Sequence, residues 1–138
     1  MQRIPGTTVR CSDVRQSRNA QHLFVRSNKK GRGVYTDRDI SKGETVLVDP
    51  VISFKDSTAR GLIHDYTFQW KEEGWSALAL GILSIVNHSF EPNCEYRFHY
   101  SEKTISLRTL RHIKKGEEIT MNYNHDPEDK TPMNFEVI

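Results

Sequence analysis

The chain sorts its apolar residues into short bursts separated by polar turns, the pattern of a meander of small strands. Residues 22–27 form a first β-prone run and end in the turn signal Asn28-Lys29-Lys30-Gly31. Gly33 to Thr36 predicts a second strand. After the turn Ser41-Lys42-Gly43-Glu44, residues 45–49 predict a third, which Pro50 interrupts and residues 51–54 continue. Leu62, Ile63, Tyr66 and Trp70 break the rhythm, because their spacing places them on one face of a helix over 59–70, with Gly74 beyond its end. Residues 77–86 are almost wholly apolar and read as buried, with helix and strand left undecided by periodicity. Two further strands are predicted over 95–100, where aromatic and polar residues alternate, and over 104–110. The hairpin turn Ser101-Glu102-Lys103 joins them, and a last strand spans 119–123. Residues 1–20 are polar and aperiodic and read as an N-terminal segment that is either flexible or only loosely docked; the tail beyond residue 123 reads as irregular until Phe135.

Composition narrows the class without changing this outline. A chain of 138 residues with 36% hydrophobic and 28% charged residues reads as one globular domain large enough for its own core. No apolar run approaches the ~18 residues that a membrane span requires, and the N-terminus lacks the apolar stretch of a secretory signal, so an intracellular location is the expectation. Cys11 and Cys94 have no CxxC or CxxH partner and read as free thiols. Basic residues bunch at Arg26, Lys29, Lys30 and Arg32, and again at Arg108, Arg111, Lys114 and Lys115. The formal net charge is nevertheless only +2, which disfavours direct nucleic-acid binding and makes solvated loop charge the better reading.

Chemistry concentrates in Asn87-His88-Ser89-Phe90-Glu91-Pro92-Asn93, which follows directly on the apolar run 77–86. Polar groups placed where the chain enters its core lower stability unless each is hydrogen-bonded or serves a ligand, so this cluster is a candidate site. The cluster does not stand alone. Lys30-Gly31-Arg32-Gly33-Val34-Tyr35, Asp65-Tyr66-Thr67-Phe68, the Asn87–Asn93 cluster and Gly116-Glu117-Glu118-Ile119-Thr120-Met121-Asn122-Tyr123 occur in the order found in SET-domain protein lysine methyltransferases. The chain resembles that family over about residues 22–135, and most resembles the compact stand-alone members of bacteria and large DNA viruses.

The resemblance implies a mainly β fold with short helices, a β-clip-like arrangement of several small sheets with a threaded C-terminal crossing, over residues 21–138. It implies S-adenosyl-L-methionine as cofactor and a lysine of a protein as acceptor, with a histone or histone-like tail as the expected substrate. Tyr123 matches the family tyrosine whose hydroxyl lies beside the transferring methyl, and Tyr66 the tyrosine that reaches the active site from the Tyr-x-Phe segment. Lys30, Gly31, Arg32, Gly33 and Val34 match the turn that meets the methionine part of the cofactor, mainly through backbone groups. Asn87 and His88 match cofactor-binding positions, and Ser89 and Asn93 match the hydrogen bonds that hold the crossing. Where zinc-bound members carry a cysteine after Asn-His-Ser, this chain has Phe90, and no cysteine follows Cys94. No metal is therefore expected, and Phe135 or Met133 in the tail is the expected lid over the adenine ring. Met121 stands where many members carry a Phe or Tyr that influences how many methyl groups are added, which leaves the multiplicity open.

Methyl transfer to an amine asks for these residue types on its own terms. Donor and acceptor must be aligned, water excluded, and a lysine with an ordinary pKa of about 10.4 presented unprotonated, which an apolar aromatic channel favours by desolvation. Small relatives of this type can pair as homodimers, so the resemblance also admits a homodimer. Two rivals stand beside the histone reading: a methyltransferase of another basic protein, such as a ribosomal protein, and a non-catalytic binding module on the same fold. The compartment follows the substrate, cytoplasmic in a bacterium and nuclear if the target is chromatin.

Overall fold

The computed structural model describes residues 21–58 and 61–137. The segment 1–20, with Cys11, lies outside the described residues. Among the described residues, nine strands form two sheets. The first has the order β1-β2-β9-β6, with β1 Leu23–Asn28, β2 Gly31–Thr36, β6 Asn87–His88 and β9 Glu118–Met121. The second has the order β4-β5-β3-β8-β7, with β3 Thr45–Lys55, β4 Thr67–Gln69, β5 Trp75–Ala79, β7 Cys94–His99 and β8 Thr104–Thr109. Every pairing is antiparallel except β6 with β9. The expected mainly β architecture of small sheets is the observed one.

Pro50 interrupts nothing. β3 runs through it, pairing with β8 from Thr45 to Pro50 and with β5 from Val51 to Lys55. The proline, which has no N–H to give, stands where the strand changes partner, and its carbonyl accepts the Leu80 N–H at 2.8 Å. The apolar run 77–86 is likewise neither one helix nor one strand. Its first part belongs to β5 and its second forms the 3₁₀ turn Ile82–Ile85, with Leu83 and Val86 fully buried.

The helix expected over 59–70 does not form. Gly61–Tyr66 is a 3₁₀ turn, and Thr67–Gln69 pairs as β4 with Leu78, Ala77 and Ser76 of β5. Leu62 is 80% exposed and Ile63 54%, so the helical face read from the spacing has nothing to bury against among the described residues. Trp70 goes elsewhere, edge-on to Phe98 at 5.6 Å and Tyr100 at 4.9 Å. Sheet pairing that satisfies the β4 backbone outweighs a weak local helical preference.

Between the sheets lies one core, to which Val34 and Ile119 contribute from the first sheet and Leu47, Ile105 and Leu107 from the second. Cys94 is fully buried there as a free thiol, and burial pushes it up to about 12. In a Cys11→Ser variant, a thiol reagent at neutral pH is expected to leave Cys94 unmodified until denaturant is added; rapid modification of the native protein would show that the Cys94 site opens.

Candidate active site

The parallel pairing of β6 with β9 places the polar cluster against the strand that leads into Tyr123. Asn87 lies opposite Thr120 and His88 opposite Met121. Beyond β6 the loop wraps β9. Ser89 N–H donates to Met121 O at 3.0 Å; Asn93 Nδ2 donates to Glu118 O at 2.7 Å, and Asn93 Oδ1 accepts the Thr120 N–H at 2.9 Å. A loop that binds one strand's backbone from both sides makes the crossing, and Asn93, 2% exposed, is its clasp.

Tyr123 follows this strand and is held at both ends. Its N–H donates to His88 Nδ1 at 3.1 Å and its hydroxyl donates to Val86 O at 2.8 Å. Burial, with a smaller contribution from nearby Tyr66, pushes the phenol up to about 12. The hydroxyl therefore stays protonated and neutral in the physiological range, able to donate one hydrogen bond and accept others.

Three cavities meet at Tyr123. A cleft of about 190 Å³ is lined by Lys30, Asn87, His88, Tyr123 and the tail residues Phe135, Glu136 and Val137. An open groove of about 530 Å³ runs between β4 and β7, with Phe68, Tyr96, Phe98, Tyr100 and His125 among the residues that line it. A narrow space of about 40 Å³, lined by Tyr66, Phe68, Ser84 and Met121 among others, also opens on Tyr123. Tyr66 and Tyr123 thus share a small cavity although Tyr66 does not belong to the expected helix.

Asn87 is oriented by two acceptors. Its Nδ2 donates to Glu118 Oε1 at 2.7 Å and to Arg32 O at 2.8 Å, so Oδ1 carries no donor among the described residues and remains an acceptor at the cleft. His88 accepts from Tyr123 through Nδ1, which puts its proton on Nε2. That Nε2 is buried without a partner among the described residues. Burial, with help from the Lys30 charge, lowers the imidazole pKa and keeps the ring neutral. Its faces and edges meet Phe90 at 4.5 Å, Tyr123 at 5.3 Å and Phe135 at 6.2 Å. Lys30 Nζ donates to His88 O at 3.4 Å, closing the cleft on one side.

The glycine turn divides its work. Gly31, with φ +100°, makes the turn between β1 and β2 and has open space where a side chain would be. Gly33 instead makes room inside the protein: a Cβ there would collide with the Glu118 carboxylate and Asn28 Nδ2, both part of the network that orients Asn87. Val34 is a core residue paired with Ile119, and Arg32 enters through its carbonyl. Of the turn, only Lys30 lines the cleft.

Sequence reasoning assigned no role to Tyr96 or to Asn122. Tyr96 is buried on β7, lines the groove, packs edge-on to Phe68 at 5.2 Å and donates its hydroxyl to Tyr123 O at 3.4 Å. Burial pushes its phenol well above the usual tyrosine value. The alternation of 96, 98 and 100 was the available signal, but it marks a strand face and does not say what the face meets. Asn122 ties down the tail, donating to Asp129 O at 2.6 Å and accepting from Asn124 N at 3.0 Å; Lys130 Nζ bonds Phe90 O, and Phe135 comes to rest over His88 and Tyr123. Among the described residues, no group of three or more His, Cys, Asp and Glu side chains is arranged to hold a metal ion.

A curled two-sheet fold with a strand threaded through a polar loop, and a tyrosine shared by a cleft and a groove, defines a class, and comparison with known proteins gives the same class. The SET-domain profile matches residues 31–124, and the chain belongs to the SET-domain family. A fission yeast (Schizosaccharomyces pombe) protein named as a histone-lysine N-methyltransferase specific for H3 lysine-37 is 33% identical over 102 residues, covering 70% of this chain and 69% of that protein. A Yarrowia lipolytica protein named as an H3 lysine-36 specific histone-lysine N-methyltransferase is 36% identical over 115 residues, 74% of this chain but only 15% of its own length. A solved chain from Plasmodium falciparum shares the fold, with a TM-score of 0.67 at 24% identity, over 76% of this chain and 95% of that one.

Proposed function

We propose that the protein transfers methyl groups from S-adenosyl-L-methionine to a lysine side chain of a protein, with histone tails as the first substrates to test. The observation that carries this reading is the position of Tyr123 as the wall common to a polar cleft and an aromatic groove. A reaction between two molecules needs two seats that meet at the reacting atoms.

The cleft has the donor and acceptor set that the cofactor requires. Asn87 Oδ1 is an acceptor suited to an ammonium group, His88 Nε2 is a buried donor without a partner among the described residues, and Phe135 offers an aromatic face at the rim. When bound, the cofactor supplies an electrophilic methyl group on a sulfonium. The chain's residues do the rest. In the groove, Tyr96, Phe98 and Tyr100 form an aromatic wall that strips water from an entering lysine and so favours its neutral amine. Their rings attract the ammonium form by cation–π contact as it enters. Tyr123 and Tyr66 narrow the passage, and the neutral Tyr123 hydroxyl hydrogen-bonds at the reacting end without adding charge. β4, an edge strand of its sheet among the described residues and beside the groove, can accept an extended peptide by strand addition. Exposed Glu72 and Glu73 follow the groove residue Lys71, and exposed Asp126 follows the groove residue His125, so negative charge adjoins the groove in sequence and favours a basic segment.

Incubation with labelled S-adenosyl-L-methionine, a histone panel and cell lysate tests the reading. Label on a histone supports it, and label confined to another protein keeps the chemistry but replaces the substrate. Cofactor binding without transfer to any protein would leave the binding-module alternative. Calorimetry showing no cofactor binding would overturn the reading altogether. No helix among the described residues is long and apolar enough to cross a membrane; the compartment we assign follows from the substrate, the nucleus for a chromatin target.

A further inference from the structure

Asp49 is the sole buried carboxylate among the described residues, 7% exposed on the central strand β3. It occupies a core position, since Leu47 and Val51, two residues to either side, are buried on the same face. Burial pushes its carboxyl above the ordinary range, so the ionised form is held at a cost to folding that an apolar residue would not incur. Its Oδ2 accepts the Leu83 N–H at 2.8 Å. The site is built around that bond. A Cβ at Gly81 would collide with the Asp49 carboxylate, so only glycine leaves the group its place at the head of the Ile82–Ile85 turn.

From Leu83 the connection runs on without a gap. Leu83 O accepts the Val86 N–H at 3.1 Å, closing the turn, and Val86 O accepts the Tyr123 hydroxyl at 2.8 Å. Leu83 and Val86 are both fully buried, so neither can shift without moving the core around it. We propose that Asp49 is a positioning residue for the Tyr123 hydroxyl: by anchoring Leu83 it fixes the turn, and the turn fixes the Val86 carbonyl to which that hydroxyl is bonded. The catalytic consequence rests on the methyl-transfer reading above; the positional claim does not.

The test uses ¹³C-tyrosine-labelled protein, with the Tyr123 ring-carbon resonance assigned by its loss in Tyr123→Phe. Asp49→Ala is expected to move that resonance and, well below its melting temperature, to lower kcat about tenfold with the peptide KM within about twofold, as displacement at a reacting group does. Asp49→Asn keeps an acceptor for Leu83 and is expected to restore the resonance and most of the rate. In a Tyr123→Phe background Asp49→Ala should cost little further activity, because the group it positions is gone. Should Asp49→Ala fail to fold, Gly81→Ala displaces the carboxylate while keeping it and is expected to move the resonance in the same way. A folded Asp49→Ala protein with an unmoved Tyr123 resonance overturns the proposal, as do rate losses from Asp49→Ala and Tyr123→Phe that multiply in full. If the wild-type protein transfers no methyl group, the resonance alone decides the role of Asp49, and it is the methyl-transfer reading that fails.

Discussion

Tyr123→Phe is expected to bind the cofactor within about twofold of the wild-type affinity and to lose about a hundredfold or more in methyl transfer, the scale of removing a hydrogen-bonding group that acts in the transition state. The substitution deletes one oxygen and leaves the ring, so the edge-on contacts with His88 at 5.3 Å and Phe135 at 6.1 Å survive and the cleft keeps its wall. The Tyr123 N–H to His88 Nδ1 bond, at 3.1 Å, is also untouched, because it belongs to the backbone. What disappears is the hydroxyl bonded to Val86 O at 2.8 Å. Leaving that carbonyl without its donor destabilises the fold by about 1–3 kcal/mol, which a folded protein tolerates. Calorimetry with the cofactor and initial rates at saturating cofactor separate the two effects. A variant that methylates at the wild-type rate would remove Tyr123 from the chemistry and pass the role to Tyr66 or Tyr96.

The second large effect is on stability. Asn93→Ala is expected to destabilise the protein by about 2–5 kcal/mol, because it strips partners from two β9 backbone groups, Glu118 O and the Thr120 N–H. For a chain of this size that is roughly a 6–20 °C fall in melting temperature. The loss should not stay local. β9 carries Glu118, which orients Asn87, and runs into Tyr123, so cofactor affinity should weaken at temperatures where the variant is still folded. Asn93→Asp keeps the acceptor for Thr120 but replaces the donor to Glu118 O with an oxygen facing an oxygen, and should rescue little. Melting curves and calorimetry decide the matter; an alanine variant within about 1 kcal/mol of the wild type would mean that the clasp is dispensable.

These two residues also show how unevenly the sequence declares its structure. The density of polar groups after a long apolar run is visible without coordinates, because buried polar groups need partners wherever they fall. It does not reveal who the partners are. Asn93 pairs with residues 25 and 27 positions away, and Asn28 with Glu118 across 90. No local periodicity spans such distances. The segment 59–70 failed for the complementary reason: its spacing permitted a helix, but Leu62 and Ile63 stay exposed and β5 offered Thr67–Gln69 a ladder.

By itself the sequence determined the mainly β class, the positions of most strands and their glycine turns, and the four ordered motifs that carry the SET-domain resemblance, since these depend on residues near one another in the chain. Only the tertiary structure decided that Tyr123 is the meeting point of cleft, groove and narrow passage, that Tyr96 faces the same point from β7, and that Gly33 and Gly81 serve carboxylates inside the protein. Those facts arise where strands distant in sequence pack side by side, and the energy that selects them, burial and the pairing of buried polar groups, is settled between segments and not within them.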